Sequence, residues 1–248
     1  MGWLVKSLAV ITLDSVRYDQ IIDTPFLNSL GRIYPARSHA DSTFPSHMAI
    51  LSGNLNWPEF ISNKSYRCGP WMSSFLKSKG YTTIAAASLP WIREKSFGTG
   101  FDHFFALPFD AVGRMMPLLK MLRDVEPCIQ DPTFLFLNIG ETHFPYTVSM
   151  NAPRESLLHD LVNDPEIIAP SMGDSMKRDQ QRTISWVDAR LAEFFENRDD
   201  WIIYVTADHG EMFGEHVLWL HGHGCYEEEV SVFAVCNDWD ALVSGDFS

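Results

Sequence analysis

The sequence predicts an α/β domain on a largely parallel central sheet, and three observations carry that prediction. Leu8 to Leu13, Thr133 to Ile139 and Trp201 to Ala207 are nearly continuous apolar runs, rich in β-branched and aromatic residues and too short for a helix. That is the pattern of strands buried on both faces. Segments with helical spacing lie between the runs. Polar residues with chemical potential follow directly on the runs: Asp14 after the first, Glu141-Thr142-His143 close after the second and Asp208-His209 after the third. In open α/β sheets the carboxyl ends of the strands form the crevice where ligands bind.

The 248 residues fit one large α/β domain or two small ones, and 46% hydrophobic content is ample for a core. A formal charge of -13 argues against nonspecific binding to nucleic acid or anionic membranes. It leaves an anionic substrate open, because a bound metal reverses the local field. No apolar stretch approaches transmembrane length. Cys68, Cys128, Cys225 and Cys236 are scattered without paired spacing, which suggests reduced thiols and a cytoplasmic protein. Met1 to Leu13 lacks a small-residue cleavage site and runs into Asp14, so it is taken as the first strand and not as a leader.

Taken in order, Leu8 to Leu13 is a strand that ends in Asp14-Ser15-Val16-Arg17. Thr24-Pro25 through Gly31 carries helix punctuation, with Thr24 as N-cap, Pro25 in the first turn and Gly31 near the stop. In Thr43-Phe44-Pro45-Ser46-His47, Pro45 suits a first turn and Gly53 closes the helix. Thr43 is thus placed just ahead of a helix N-terminus, where unpaired N–H groups and the dipole favour an anion. It is either a plain N-cap or a hydroxyl nucleophile that a metal activates. Pro70 to Gly80 reads as a helix and Thr82 to Ala87 as a strand. Ser88 to Asp110, rich in Gly, Phe and Pro, reads as irregular, and Ala111 to Arg123 as a helix with a Met and Leu stripe. Thr147 to Ser171 has several Pro and little periodicity, as in a substrate-facing loop or lid. Met176 to Glu196 is a long amphipathic helix that buries Ile184, Val187, Leu191, Phe194 and Phe195, with Asp188 in a structural role. His221 and His223 lie two apart among Gly residues, Glu227 to Glu229 is a solvated or helix-initiating run, and Val230 to Cys236 is a last strand.

Four stretches in this order resemble the alkaline phosphatase superfamily and, within it, the sulfatase-like hydrolases. They are Ile11 to Asp19, Thr43-Phe44-Pro45-Ser46-His47, Glu141-Thr142-His143-Phe144-Pro145-Tyr146, and Thr206-Ala207-Asp208-His209-Gly210-Glu211 continuing to His221-Gly222-His223 and the following Glu residues. The resemblance implies a single three-layer αβα domain over residues 1–248, lacking the usual C-terminal subdomain. It implies Asp14, Asp208 and His209 as metal ligands, with Thr43 as nucleophile and a further metal contact. His143, His221 and His223 are candidates for a second metal, a substrate clamp or proton transfer, and Glu141 for completing a second metal site. Arg17 is a possible phosphate clamp or else a surface ion pair. Sulfatases need a Cys or Ser, matured to formylglycine, where this chain has Thr43. That weakens sulfate-ester hydrolysis and favours phosphate or phosphonate esters.

The resulting expectation is a metal-dependent hydrolase of small anionic esters that uses one or two ions of Zn, Mn, Mg or Ca and a covalent Thr43 intermediate. A transferase with the same site, a sulfatase and a catalytically silent metal-binding scaffold are the rivals. A homodimer is allowed by the Met and aromatic segments, and neither nucleic acid nor a membrane is expected as a partner.

Overall fold

A computed structural model of the chain describes residues 5–53, 71–89, 92–107, 117–146, 170–224 and 226–247, with the main chain alone at 170 and 171. The strands are β1 (Leu8–Leu13), β2 (Tyr34–Arg37), β3 (Thr82–Ala87), β4 (His103–Ala106), β5 (Thr133–Ile139), β6 (Ile202–Ala207), the short pair β7 (Met212–Phe213) and β8 (Trp219–Leu220), and β9 (Ser231–Cys236). The helices are α1 (Pro25–Leu30), α2 (Thr43–Ser52), α3 (Met72–Ser78), α4 (Glu94–Phe97), α5 (Pro117–Val125), α6 (Pro170–Phe195), α7 (Glu227–Val230) and α8 (Trp239–Ser244).

Seven strands form one sheet in the order β2-β9-β6-β1-β5-β3-β4, and β7 and β8 pair separately. β1 runs parallel to both β5 and β6, while β9 is antiparallel to β6 and β2. Side chains alternate across the sheet because the strand period is two. Ala9, Ile11 and Leu13 of β1, with Leu135, Leu137 and Ile139 of β5, face α5 and α6 through Leu118, Met121, Ile184, Val187 and Leu191. Leu8 and Val10, with Phe134 and Phe136, face the other way onto Met48 and Leu51 of α2, Leu76 of α3 and Phe97 of α4. The sheet is therefore covered on both sides, which makes three αβα layers. Each fully buried Leu, Ile or Phe stabilises this arrangement by about 1.5–3 kcal/mol, so the two central strands anchor both cores.

Strands β1, β3 and β5 begin and end at the expected residues. The long helix starts earlier than expected, at Pro170, and buries the five predicted apolar residues. Two edge strands, β2 and β4, were not anticipated, and β4 and α4 lie inside the stretch expected to be irregular. The helix expected from Ala111 begins at Pro117 among the described residues, and most of the expected loop from Thr147 to Ser171 lies outside them. Cys68 and Cys225 also lie outside them, while Cys128 and Cys236 are free thiols. Among the described residues no helix is long and apolar enough to cross a membrane.

Thr24 does occupy the N-cap position of α1, yet its side chain does not cap. The carboxylate of Asp188 on α6 does so instead, accepting from Phe26 N–H and Leu27 N–H at 2.9 Å each. The Glu227 to Glu229 run initiates α7, with Tyr226 and Glu229 closing a capping box.

Candidate metal centre and active site

Register brings the key carboxylates together. Leu13 pairs with Ala207 and with Ile139 across parallel ladders, so Asp14 and Asp208 leave neighbouring strands side by side. Asp14 donates its N–H to the Ile139 carbonyl at 3.0 Å, which carries the ladder one residue beyond the strand. Asp14, Asp208 and His209 are fully buried, and one ligand atom from each lies within 4.8 Å of the others.

Main-chain and hydroxyl donors orient these groups. Asp208 Oδ1 accepts from Ser15 N–H at 3.2 Å and His209 N–H at 2.9 Å. Ser15, at φ 61°, also donates its hydroxyl to Asp14 Oδ1 at 2.9 Å. His209 Nδ1 donates to the Gly210 carbonyl at 2.8 Å. In the neutral ring this leaves the Nε2 lone pair on the side of Asp208 Oδ2, 3.6 Å away, and Asp14 Oδ1, 3.9 Å away. Asp208 Oδ2 is buried and has no hydrogen-bond partner, although His47 Nδ1 lies 3.5 Å from it. An orphaned carboxylate oxygen, a second carboxylate and an oriented imidazole form a donor set that fits a divalent cation such as Zn or Mn.

Thr43 is the first residue of α2, and Ser42 rather than Thr43 holds the N-cap position without a side-chain cap. The Thr43 hydroxyl lies 3.2 Å from Asp14 Oδ2 and 3.2 Å from His209 Nε2. It is thus presented to the three-residue cluster at the positive end of a ten-residue helix. Gly53 closes that helix in the left-handed conformation at φ 65°.

Burial dominates the electrostatics. It raises the Asp14 carboxyl, with the Asp208 charge adding to the shift, and pushes Asp208 up to about 6. Burial, assisted by the charge of His221, lowers His209 to about 3, so its imidazole is neutral through the ordinary pH range. Burial would also lower His221, but the charge and hydrogen bond of Glu211 outweigh it and raise His221 to about 9. Its Nδ1 lies 2.9 Å from Glu211 Oε1, which is itself fully buried.

Of the other predicted residues, His221 and His143 sit beside the cluster. The His221 ring centroid is 4.3 Å from that of His209 and 5.3 Å from that of His143. His223 is directed elsewhere: its Nε2 donates to the Trp219 carbonyl at 2.8 Å and its N–H to Glu229 Oε1 at 2.8 Å. Arg17 is not presented as a clamp. Its guanidinium binds Asp19 Oδ2 at 2.6 Å and Glu215 Oε1 at 2.8 Å, so its charge is spent in ion pairs. Glu141 points to α5, where it accepts from Leu118 N–H at 2.5 Å, and burial raises it to about 7.

Several supporting residues have no role assigned by the sequence alone, although Thr142 and His47 stand within its motifs. Thr142 donates its hydroxyl to the Asp14 carbonyl at 2.7 Å, and Gln180 on α6 donates to the carbonyls of Ser15 and Thr142 at 3.0 and 3.1 Å. Ser38 donates its hydroxyl to the Asp208 carbonyl. His47 is fully buried beneath Thr43. One signal was available for His47: on the α2 face, β1 reads Leu8, Val10, Thr12 and β5 reads Phe134, Phe136, Asn138, each apolar series ending in a polar residue.

The family model described as Sulfatase matches residues 19–232. No curated protein sequence matches the chain. Among solved structures, it is similar to the C-terminal periplasmic domain of EcEptC from Escherichia coli in complex with Zn, at 14% identity and TM-score 0.67, covering 95% of this chain and 73% of that one. It is similar to the soluble domain of lipooligosaccharide phosphoethanolamine transferase A from Neisseria meningitidis, at 16% identity and TM-score 0.66, covering 100% and 81%. It is also similar to the putative sulfatase yidJ from Bacteroides fragilis, at 18% identity and TM-score 0.66, covering 95% and 68%. The alkaline phosphatase-like fold is shared with these structures. The expected cytoplasmic location is withdrawn, since structures of this fold include periplasmic domains. Scattered cysteines bear on disulfide pairing and do not fix a compartment.

Proposed function

The chain belongs to the sulfatase family, whose members are enzymes, and from that premise we propose that it cleaves or transfers phosphate esters through a covalent intermediate on Thr43. The observation that carries this reading is the Thr43 hydroxyl, 3.2 Å from both Asp14 and His209 on the first turn of α2. Asp14, Asp208 and His209 would hold a divalent cation, with Thr43 as a further ligand. A bound cation supplies Lewis-acid charge to the phosphoryl oxygen and lowers the pKa of the attacking hydroxyl.

The chain's own groups then account for the rest. Thr43 Oγ1 loses its proton to solvent water and forms the bond to phosphorus, while the bond from phosphorus to the leaving oxygen breaks and that oxygen takes up a proton. The first turn of α2 faces the developing negative charge with its dipole. His221, held protonated by Glu211, is placed to bind the anionic ester or to give a proton to the leaving oxygen. His143 stands next to it as the partner in that role. Water, or an acceptor alcohol in a transferase, then attacks phosphorus and gives up its proton, the bond from phosphorus to Thr43 Oγ1 breaks, and Oγ1 is reprotonated to the free hydroxyl. A β-branched secondary alcohol at this position favours phosphate over sulfate esters, because the resemblance ties sulfatase chemistry to formylglycine made from Cys or Ser.

The test is turnover of aryl phosphate monoester, phosphate diester, phosphonate ester and sulfate ester, each with Zn, Mn, Mg, Ca or chelator, for wild type and Thr43→Ala. The expected result is metal-dependent phosphoester cleavage that falls on the order of 10³-fold or more in Thr43→Ala. Activity surviving that substitution would sink the nucleophile assignment. Added alcohol acceptors separate transfer from hydrolysis by the product formed.

A further inference from the structure

His47 is a buried group that the chemistry above does not use. It lies one helical turn after Thr43 with its ring fully buried. Its Nδ1 donates to the Thr43 carbonyl at 2.7 Å. A carbonyl only accepts, so the proton is on Nδ1 and Nε2 is the acceptor of a neutral ring. Nε2 lies 2.9 Å from the Thr12 hydroxyl and 3.3 Å from the Asn138 amide nitrogen, both of which can donate to it. Thr12 and Asn138 are direct partners in the β1–β5 ladder. Phe97 and Phe136 close on the ring edge-on, with centroids 6.4 and 5.8 Å away.

The first turn of any helix has few bonds of its own and frays readily. A nucleophile placed there needs external support, because productive attack tolerates only small displacements. We infer that His47 is the positioning residue of Thr43, tying the carbonyl of the nucleophile to the Thr12–Asn138 pair at the end of the two central strands. It acts through Thr43 and touches no reacting atom, while its Nδ1 also lies 3.5 Å from Asp208 Oδ2, which is why Zn affinity is followed in every variant. This inference rests on the reading of Thr43 as nucleophile, and the strands it uses are those that deliver Asp14 and His143.

His47→Asn places an amide nitrogen near the position of Nδ1 and keeps the bond to Thr43. His47→Gln reaches the position of Nε2, keeps the strand contact and loses the bond to Thr43. These two variants and His47→Ala are compared with wild type for kcat and KM on an aryl phosphoester, Zn affinity by chelator competition, thermal midpoint, and single-turnover phosphorylation of Thr43 by quench and peptide mass. The expected result is a kcat loss of about 10–100-fold in His47→Ala and His47→Gln, with KM and Zn affinity within about threefold. His47→Asn should retain most of kcat, and phosphorylation of Thr43 should slow in step with kcat. Added imidazole should partly restore His47→Ala.

Unchanged kcat in His47→Gln would overturn the inference, as would losses that follow the thermal midpoint or Zn affinity equally in all three variants. Wild-type turnover without a phosphorylated Thr43 peptide would overturn the nucleophile reading and this inference with it. Thr43 phosphorylated at the wild-type rate in His47→Gln would overturn this inference alone.

Discussion

A Cβ built on Gly210 would lie 2.1 Å from the Glu228 carbonyl oxygen and 3.0 Å from Arg17 Cγ. The first contact is with main chain and cannot yield by rotation. The Gly210 N–H meanwhile donates to the Glu229 carbonyl at 2.6 Å, so the turn after His209 is pressed against the start of α7. Gly210→Ala should therefore displace the carbonyl that orients His209. We expect a stability loss of about 1–3 kcal/mol from overpacking, read as a drop in the thermal midpoint of roughly 2–12 °C, together with weaker Zn binding. An unchanged midpoint and unchanged Zn affinity would contradict the close approach. At this scale the sequence was legible where a polar residue ended an apolar run, as at Asp14 and Asp208-His209. For Arg17 an ion pair was among the readings, but its partner Glu215 was not legible, because only the fold brings Glu215 to it. Glu215 shows the same effect: burial would raise its pKa, yet Arg17, the Phe213 N–H and Lys177 hold it at about 2.

Among the elements, α1 and α6 are joined by one carboxylate. Asp188 Oδ1 and Oδ2 each take one N–H from the first turn of α1, which the Thr24 side chain leaves uncapped. Asp188→Ala would leave two N–H groups without that partner and should lower stability by about 1–2 kcal/mol in urea unfolding. Its kcat should stay near wild type, since α1 contributes no residue to the cluster around Thr43. A loss below about 0.3 kcal/mol would show that the cap is not needed. Asp188 was legible as structural from its place on the long helix, but its partner was not, because Phe26 and Leu27 lie more than 160 positions away. The strands show the same division. β1 and β5 are buried on both faces, and continuous apolar runs disclosed their limits. β2 is largely exposed and carries Pro35, which suits an edge and dilutes the strand pattern. β7 and β8 are two residues each, too short for any period to register.

Across the whole molecule, a net charge of -13 surrounds a buried site whose carboxylates resist ionisation, so protons and the proposed cation would compete for the same oxygens. A carboxyl whose folded pKa is raised contributes stability below its unfolded value, near 3.8 for Asp. That contribution is lost as pH rises through the folded value, about 6 for Asp208. Burial raises Asp14 in the same direction. His209 and His47, lowered by burial, act with the opposite sign and gain stability as pH rises toward 6.5. These contributions overlap in pH, so the difference between metal-loaded and metal-free protein is the informative quantity. His209 is already neutral above about 3 and releases no proton on binding an ion between pH 5 and 8, whereas Asp208 does so below about 6. Zn affinity should therefore fall by up to about tenfold per pH unit below pH 6 and level off above it. With Zn at about 100 times its Kd at pH 7.5, the gain of about 2.7 kcal/mol should raise the thermal midpoint by roughly 5–11 °C. At pH 5 and the same Zn concentration that rise should shrink, and in Asp208→Asn it should be small at both pH values. A Zn-induced rise independent of pH, or one that survives Asp208→Asn, would remove Asp208 from the ion's ligands and place the binding elsewhere in the chain.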